Sequence, residues 1–191
     1  MPDQKGQPNL ISRLAESPWV EPLLGTLIVA YGLLAAWSSY TGSIYGGNSA
    51  ENYFVGLSEL TNANDEFSVA DQKFNSDTNL NLQFNIQVEL GAPESVLDAI
   101  EEFYSEEGTL SIARSNTLDD EYVDTLYSSA NARRDNANAA FTAGKAWDDL
   151  GDSYELLVLY LATGLGFSAW AALIDKEKLT RYMFALLGIA L

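Results

Sequence analysis

The chain has 191 residues with neither Cys nor His, and its 27 acidic against 10 basic side chains give a net charge of −17. The missing residue types exclude disulfides, thiolate and imidazole metal ligands, Cys or His nucleophiles and the usual axial ligands of haem. Between residues 45 and 152 there are 21 acids and five bases, net −16, so this segment repels nucleic acid and anionic headgroups and suits cations, basic proteins or salty water.

The N-terminal segment, 1–21, contains Lys5 and Arg13, and residues 22–37 (PLLGTLIVAYGLLAAW) then hold no ionised side chain. A bilayer core of about 30 Å needs about 20 mostly apolar helical residues, so a first transmembrane helix is expected over 22–43. Trp19, Trp37 and Tyr40 near its ends suit interfacial anchoring. The competing reading, a cleavable signal peptide, is disfavoured by the long approach, the lack of an A-x-A site and the second apolar run downstream.

Residues 44–153 read as an acidic, extracytoplasmic helical domain. From Ala50 the apolar positions Tyr53 or Phe54, Leu57, Leu60, Phe67 and Phe74 recur at helical spacing. Only Gly46 and Gly47 separate them from the first span, which can run on into the domain. Over 80–90 the residues Leu80, Leu82, Phe84, Ile86, Val88 and Leu90 alternate strictly with polar ones, the period of a strand. Yet Leu80, Phe84 and Val88 share one helix face and Leu82, Ile86 and Leu90 the opposite one, as in a helix between two others. A lone strand would expose an unpaired edge, so helix is expected.

Gly91-Ala92-Pro93 is a break, with Pro and Glu94 suited to a new helix start. That helix is expected to bury Val96, Leu97, Ile100, Phe103 and Tyr104 and to end at Gly108. Residues 109–118 form a connector. Asp119, Asp120 and Glu121 then open a helix with Tyr122, Leu126, Ala130, Ala137, Phe141 and Gly144 inward. It meets no Pro before Ile174, although Gly151 could bend it, so the second apolar run, 156–174 (LLVLYLATGLGFSAWAALI), is expected to continue it as a transmembrane helix over 154–174. Tyr154 and Trp170 suit its interfaces.

Lys176, Lys178 and Arg181 follow in a turn over 175–181. Because cytoplasmic flanks collect Lys and Arg, both flanks are expected inside and 44–153 outside, giving a multi-pass protein of the cell membrane. The last run, 182–191 (YMFALLGIAL), covers about 15 Å of helix, half a bilayer. It is expected to be the start of a third transmembrane helix in a longer, trimmed chain. The fold class is therefore all-α: transmembrane helices with an extracytoplasmic helical bundle formed partly by continuations of the first two spans.

Small residues recur where such helices must pass. Ala35, Ser39, Ser43 and Gly47 lie four apart, as do Gly32 and Ala36, Gly42 and Gly46, and Gly164, Ser168 and Ala172; Ala130, Ala137, Gly144 and Gly151 lie seven apart. Such faces permit close backbone approach in lipid, within one chain or between chains, although four-residue spacing also arises by chance in apolar helices.

Motifs for chemistry are sparse. Residues 75–81 (NSDTNLN) alternate oxygen ligands but lack the Gly and the terminal Glu of a calcium loop. Glu101, Glu102, Glu106 and Glu107, and Asp119 to Glu121, read as solvated faces. Arg133 and Arg134 read as partners of neighbouring carboxylates such as Asp135. No nucleophile elbow, Ser-x-x-Lys pair or phosphate loop occurs. An enzyme, a cofactor, a metal site and a small-molecule ligand are therefore not expected.

Residues 36–53 (AWSSYTGSIYGGNSAENY) combine Trp-Ser-x-Tyr, a small-residue stretch and an Ala-Glu-x-Tyr helix start. Residues 130–174 add an Ala-rich approach, Gly144, Asp152 and Tyr154 before a Leu-Val-Leu span, with a basic turn before Arg181. In these features the chain resembles a poorly characterised prokaryotic membrane protein family, whose members have one span, an external helical region, then two or more spans joined by a short basic turn. The resemblance implies that the last run continues, and implies no catalytic residues. The expected function is a structural or accessory subunit of a larger membrane assembly, its partners other membrane protein subunits or further copies, and membrane lipid. The alternative is a sensor with a chemoreceptor-like ectodomain, which would require a signalling helix after the second span.

Overall fold

The computed structural model describes residues 18–175 and 178–191. Lys5, Arg13 and Lys176, on which the expected orientation partly rests, lie outside them. The described residues form five helices and no strand: α1 (Val20–Glu89), α2 (Glu94–Glu101), α3 (Glu106–Ser115), α4 (Asp120–Leu173) and α5 (Leu179–Ala190). The first apolar run does continue into the acidic segment, since α1 extends through Gly46 and Gly47 for 70 residues, and α4 runs 54 residues through Gly151. Both contain stretches long and apolar enough to cross a membrane. Residues 80–89 are helical, so the alternating pattern marks two faces of a helix and not a strand.

The chain divides into an apolar unit, to residue 49 and from 145 onward, and an acidic unit, 50–144. In the acidic unit α1 and α4 pack antiparallel along columns of small residues. Gly56, Ala63 and Ala70 on α1 and Ala130, Ala137 and Gly144 on α4 are all buried at seven-residue intervals. A repeat of seven is close to two helical turns and keeps one stripe facing the partner. With no side chain beyond a methyl in the stripe, the backbones approach closely and longer side chains pair along its edges. Phe67 with Tyr127, Phe74 with Tyr122 and Tyr53 with Phe141 are such ring pairs.

α1 ends in a Schellman turn: Gly91 takes a positive φ of 71°, its N–H donates to the Val88 carbonyl, and the Ala92 N–H reaches back to Gln87. The following segment departs from expectation. The helix opened by Pro93 stops at Glu101 and not at Gly108, and Val96 and Phe103 are exposed while Tyr104 is buried. Ser105 interrupts it by capping α3, its hydroxyl accepting the Gly108 N–H at 3.0 Å, so Gly108 lies in the first turn of a new helix that occupies most of the expected connector. Asn116 closes α3 in the left-handed region.

In the apolar unit α5 packs on α1 and α4. Leu24, Ala171 and Ala185 form a small core flanked by Val20 and Phe184. The Tyr31 ring lies against Gly164, and its hydroxyl donates to the Gly188 carbonyl. Arg181, assigned to the turn from sequence, lies in the first turn of α5 and is buried, with Glu21 at 3.7 Å.

The glycines separate into two kinds that predict opposite responses. A Cβ at Gly56 would lie 2.6 Å from the Phe141 ring, whereas one at Gly25 or Gly47 meets nothing within 4 Å. Gly56→Ala is expected to cost about 1–3 kcal/mol by overpacking, and Gly47→Ala to add about 0.5–1 kcal/mol of helix propensity. Thermal unfolding of the full chain in detergent, followed by circular dichroism, checks both signs.

Candidate functional site

Two places combine geometry with uncommon chemistry. The first lies in the acidic unit, where the small column of α1 continues from Gly56, Ala63 and Ala70 to Asp77, one heptad on. Asp77 is 1% exposed. Its carboxylate accepts the Ser105 N–H at 2.9 Å, the Ser105 hydroxyl, and the Tyr122 hydroxyl at 2.9 Å, so one buried group ties α1 to the cap of α3 and the first turn of α4. A buried carboxylate is tolerated when several donors replace its water shell, and such charge-assisted bonds are stronger than neutral ones. Gly108 is required beside it, because a Cβ there would lie 2.6 Å from a carboxylate oxygen. Burial, then the hydrogen bond to Asp77, pushes the Tyr122 phenol well above its usual range; burial also raises Tyr104, with Asp77's charge the next cause.

Neighbouring polar groups fix the surrounding turns. Buried Ser111 donates to the Thr117 carbonyl and accepts the Asp119 N–H, while Asp119 caps α4 by accepting the Tyr122 N–H at 2.9 Å. Arg114 binds Asp119 at 2.8 Å, and that hydrogen bond, with the Tyr122 N–H second, holds the Asp119 carboxyl far below the usual range. Arg133 pairs with Glu66 and Glu59 of α1 rather than with Asp135, and Lys73 reaches Glu107 at 3.0 Å. A groove of about 320 Å³ lies among these groups, floored by Val69, Ala70 and Ala130 and rimmed by Asp65, Glu66 and Lys73. The rim charges Glu66 and Lys73 are thus already paired within the protein. The calcium-like stretch 75–81 is helical, and its central Asp77 is the carboxylate just described.

The second place is the small-residue surface of the apolar unit. Of the residues singled out from sequence, Gly42, Gly164 and Ser168 lie at contacts between helices. A Cβ at Gly42 would lie 3.3 Å from the Tyr154 Cβ, Gly164 carries the Tyr31 ring, and fully buried Ser168 sits under Gly188. Gly32 and Ala35 are partly covered. Ala36, Ser39, Ser43, Gly46, Gly47 and Ala172 are exposed, and a Cβ at Gly32, Gly46 or Gly47 would meet nothing within 4 Å. Four of these small residues, Ser39, Gly42, Ser43 and Gly46, border a notch of about 450 Å³ together with buried Ser38, with Glu155 and Val158 opposite on α4. Beside it Tyr45 stacks on Trp147 and meets Tyr154, which in turn takes the edge of Trp37.

Compared with family models, curated proteins and solved structures, the chain matches none. Its function is therefore argued from these surfaces. In sequence Asp77 stands among polar neighbours, and the signal that marks its cluster is the heptad register it shares with Gly56, Ala63 and Ala70. Among the described residues no group of three or more Asp or Glu is placed to hold a metal ion.

Removing the carboxylate leaves three donors unsatisfied, whereas removing the phenol hydroxyl leaves Asp77 its two Ser105 bonds. Asp77→Ala is expected to destabilise by about 3 kcal/mol and Tyr122→Phe by about 1 kcal/mol, measured by denaturant unfolding with the tyrosine and tryptophan signals. For Asp119, a depressed folded pKa means stabilisation that is complete above the unfolded carboxylate pKa and is lost as pH falls through the folded value. The destabilisation caused by Asp119→Asn should therefore be largest at pH 7 and shrink steadily as the medium is acidified below pH 4.

Proposed function

We propose that the chain is a structural or accessory subunit of a membrane assembly, acting through helix packing in the bilayer while its acidic unit lies outside the cytoplasm. The observation that carries this reading is the bareness of the apolar segments. Only 6% of the most apolar window of α1 and 22% of that of α4 is buried, whereas the core helix of a soluble protein would be mostly covered. Leu33, Leu34, Trp37, Leu159, Trp170 and Leu173 are among the large apolar side chains left exposed. Lipid is the solvent that suits them, because apolar exposure on this scale in water marks an interaction surface.

The outward column Gly32, Ser39 and Gly46, with Ala36, Ser43 and Gly47 beside it, supports contact with helices of another chain. A Cβ at Gly32, Gly46 or Gly47 would meet nothing within 4 Å, and small faces are where helices in lipid approach each other. A sensor is supported less. The helix after α4 is α5, which turns back so that Gly188 rests on Ser168, whereas signalling would need an outgoing helix.

Two measurements test this. In a chain without native Cys, a Cys at Ser76 should react with an impermeant thiol reagent on intact cells and one at Thr180 should not; the reverse pattern overturns the orientation. Gly32→Leu, where the chain itself leaves space, should lower recovery of a membrane partner in gentle detergent without lowering the melting temperature. Gly42→Leu, against Tyr154, should lower both. Unchanged recovery with Gly32→Leu contradicts the packing role.

A further inference from the structure

The end of α1 carries a second uncovered surface, of different character. Leu82, Ile86 and Leu90 lie four apart, so they form one stripe on the helix, and they are 59%, 46% and 74% exposed. Leu80 and Phe84, on the opposite face, are half-buried. One side of a helix patterned for two apolar neighbours is thus left bare. Its setting is unlike the rest of the acidic unit: from residue 78 to 93 the only charged side chain is Glu89, and the polar positions are Thr78, Asn79, Asn81, Gln83, Asn85 and Gln87.

We propose that Leu82, Ile86 and Leu90 form a self-association surface that pairs with the same stripe on a second copy. Three arguments select a second copy over another occupant. A like copy brings the same net charge of −17, so close approach is permitted only where the surface is nearly neutral, and this segment is. Asn and Gln amides each both donate and accept hydrogen bonds, so a row of them is complementary to itself, which a row of carboxylates is not. A two-fold contact joins identical patches, and copies rooted in one membrane present the stripe at one level and at raised effective concentration. The last argument rests on the membrane reading above.

The test uses the full chain in phosphatidylcholine vesicles, with single Cys residues introduced one at a time and oxidised mildly. Leu82→Cys, Ile86→Cys and Leu90→Cys should give disulfide-linked dimer at several times the yield of Asn85→Cys and Val88→Cys, which are exposed and lie off the stripe. Val88 is apolar, so equal yields at all five positions would report random collision and overturn the proposal. In chains labelled at a Cys in place of Ser76, energy transfer between copies should fall to background with Ile86→Asn and rise with Glu89→Gln, which removes the one like-charge repulsion. A fall with Glu89→Gln overturns the proposed pairing. Resistance to carbonate extraction is measured on the same vesicles: failure to insert removes the membrane reading and the proposal with it, whereas insertion without the crosslinking pattern removes the proposal alone.

Discussion

The close approach of α1 and α4 is the constraint from which most of this structure follows. Along most of their contact at least one of the two helices presents Gly or Ala: Gly42 and Gly151 in the apolar unit, Gly56, Ala63, Ala70, Ala130 and Ala137 in the acidic one. Backbones brought together in this way leave no room for large side chains in the middle of the contact. The aromatic rings are displaced to its edges or laid over a glycine, as Phe141 is over Gly56 and Tyr31 over Gly164. The same geometry brings Arg133 within reach of both Glu59 and Glu66 across the helices. At the surface such pairs are worth at most about 1 kcal/mol each, so they edge the contact rather than create it.

A column of small residues specifies its register poorly, because a slip of seven residues sets small against small again. Features that occur once resolve this degeneracy. The ring of Phe141 fits only over a glycine, and Asp77 finds its donors only when Tyr122 and the Ser105 cap stand beside it. A buried polar group that is satisfied in one alignment and orphaned in others penalises every slipped state by the cost of an unpaired charge. Asp77 also governs the chain beyond α1. Its bonds to Ser105 hold the cap that begins α3, and Gly108 is needed where it touches the carboxylate, which is why this glycine lies inside a helix start instead of ending a helix.

The long helices were legible because apolar periodicity and the absence of proline are local signals that extend over many residues. The same logic resolved 80–90, where two apolar faces of one helix imitate the alternation of a strand. The short helices were less legible. Gly108 is an ordinary helix terminator when read locally, and only the tertiary demand of Asp77 gives it another role. Phe103 fits the apolar spacing of its neighbours yet is exposed, because α2 ends at Glu101 before that spacing can place it inside. The heptad column of α1 was missed for a related reason: Gly56, Ala63 and Ala70 carry little hydropathy, so a search for large apolar residues passes over the contact they make.

A core made this way has an energetic consequence. Burial contributes about 0.8 kcal/mol per methylene, so an alanine in the contact gains far less than the leucine that fills the interior of an ordinary bundle. Among the described residues, six of the ten buried hydrophobic residues are Ala, against two Leu and two Tyr. Many of the leucines, valines and aromatics that would usually supply the difference face outward instead, in both units. Under the readings proposed above, their burial comes from lipid along the apolar segments and from a second copy at the nearly neutral end of α1. If that proposal holds, the partners are part of what stabilises the fold, and the thin internal core is the physical feature that the assembly reading explains.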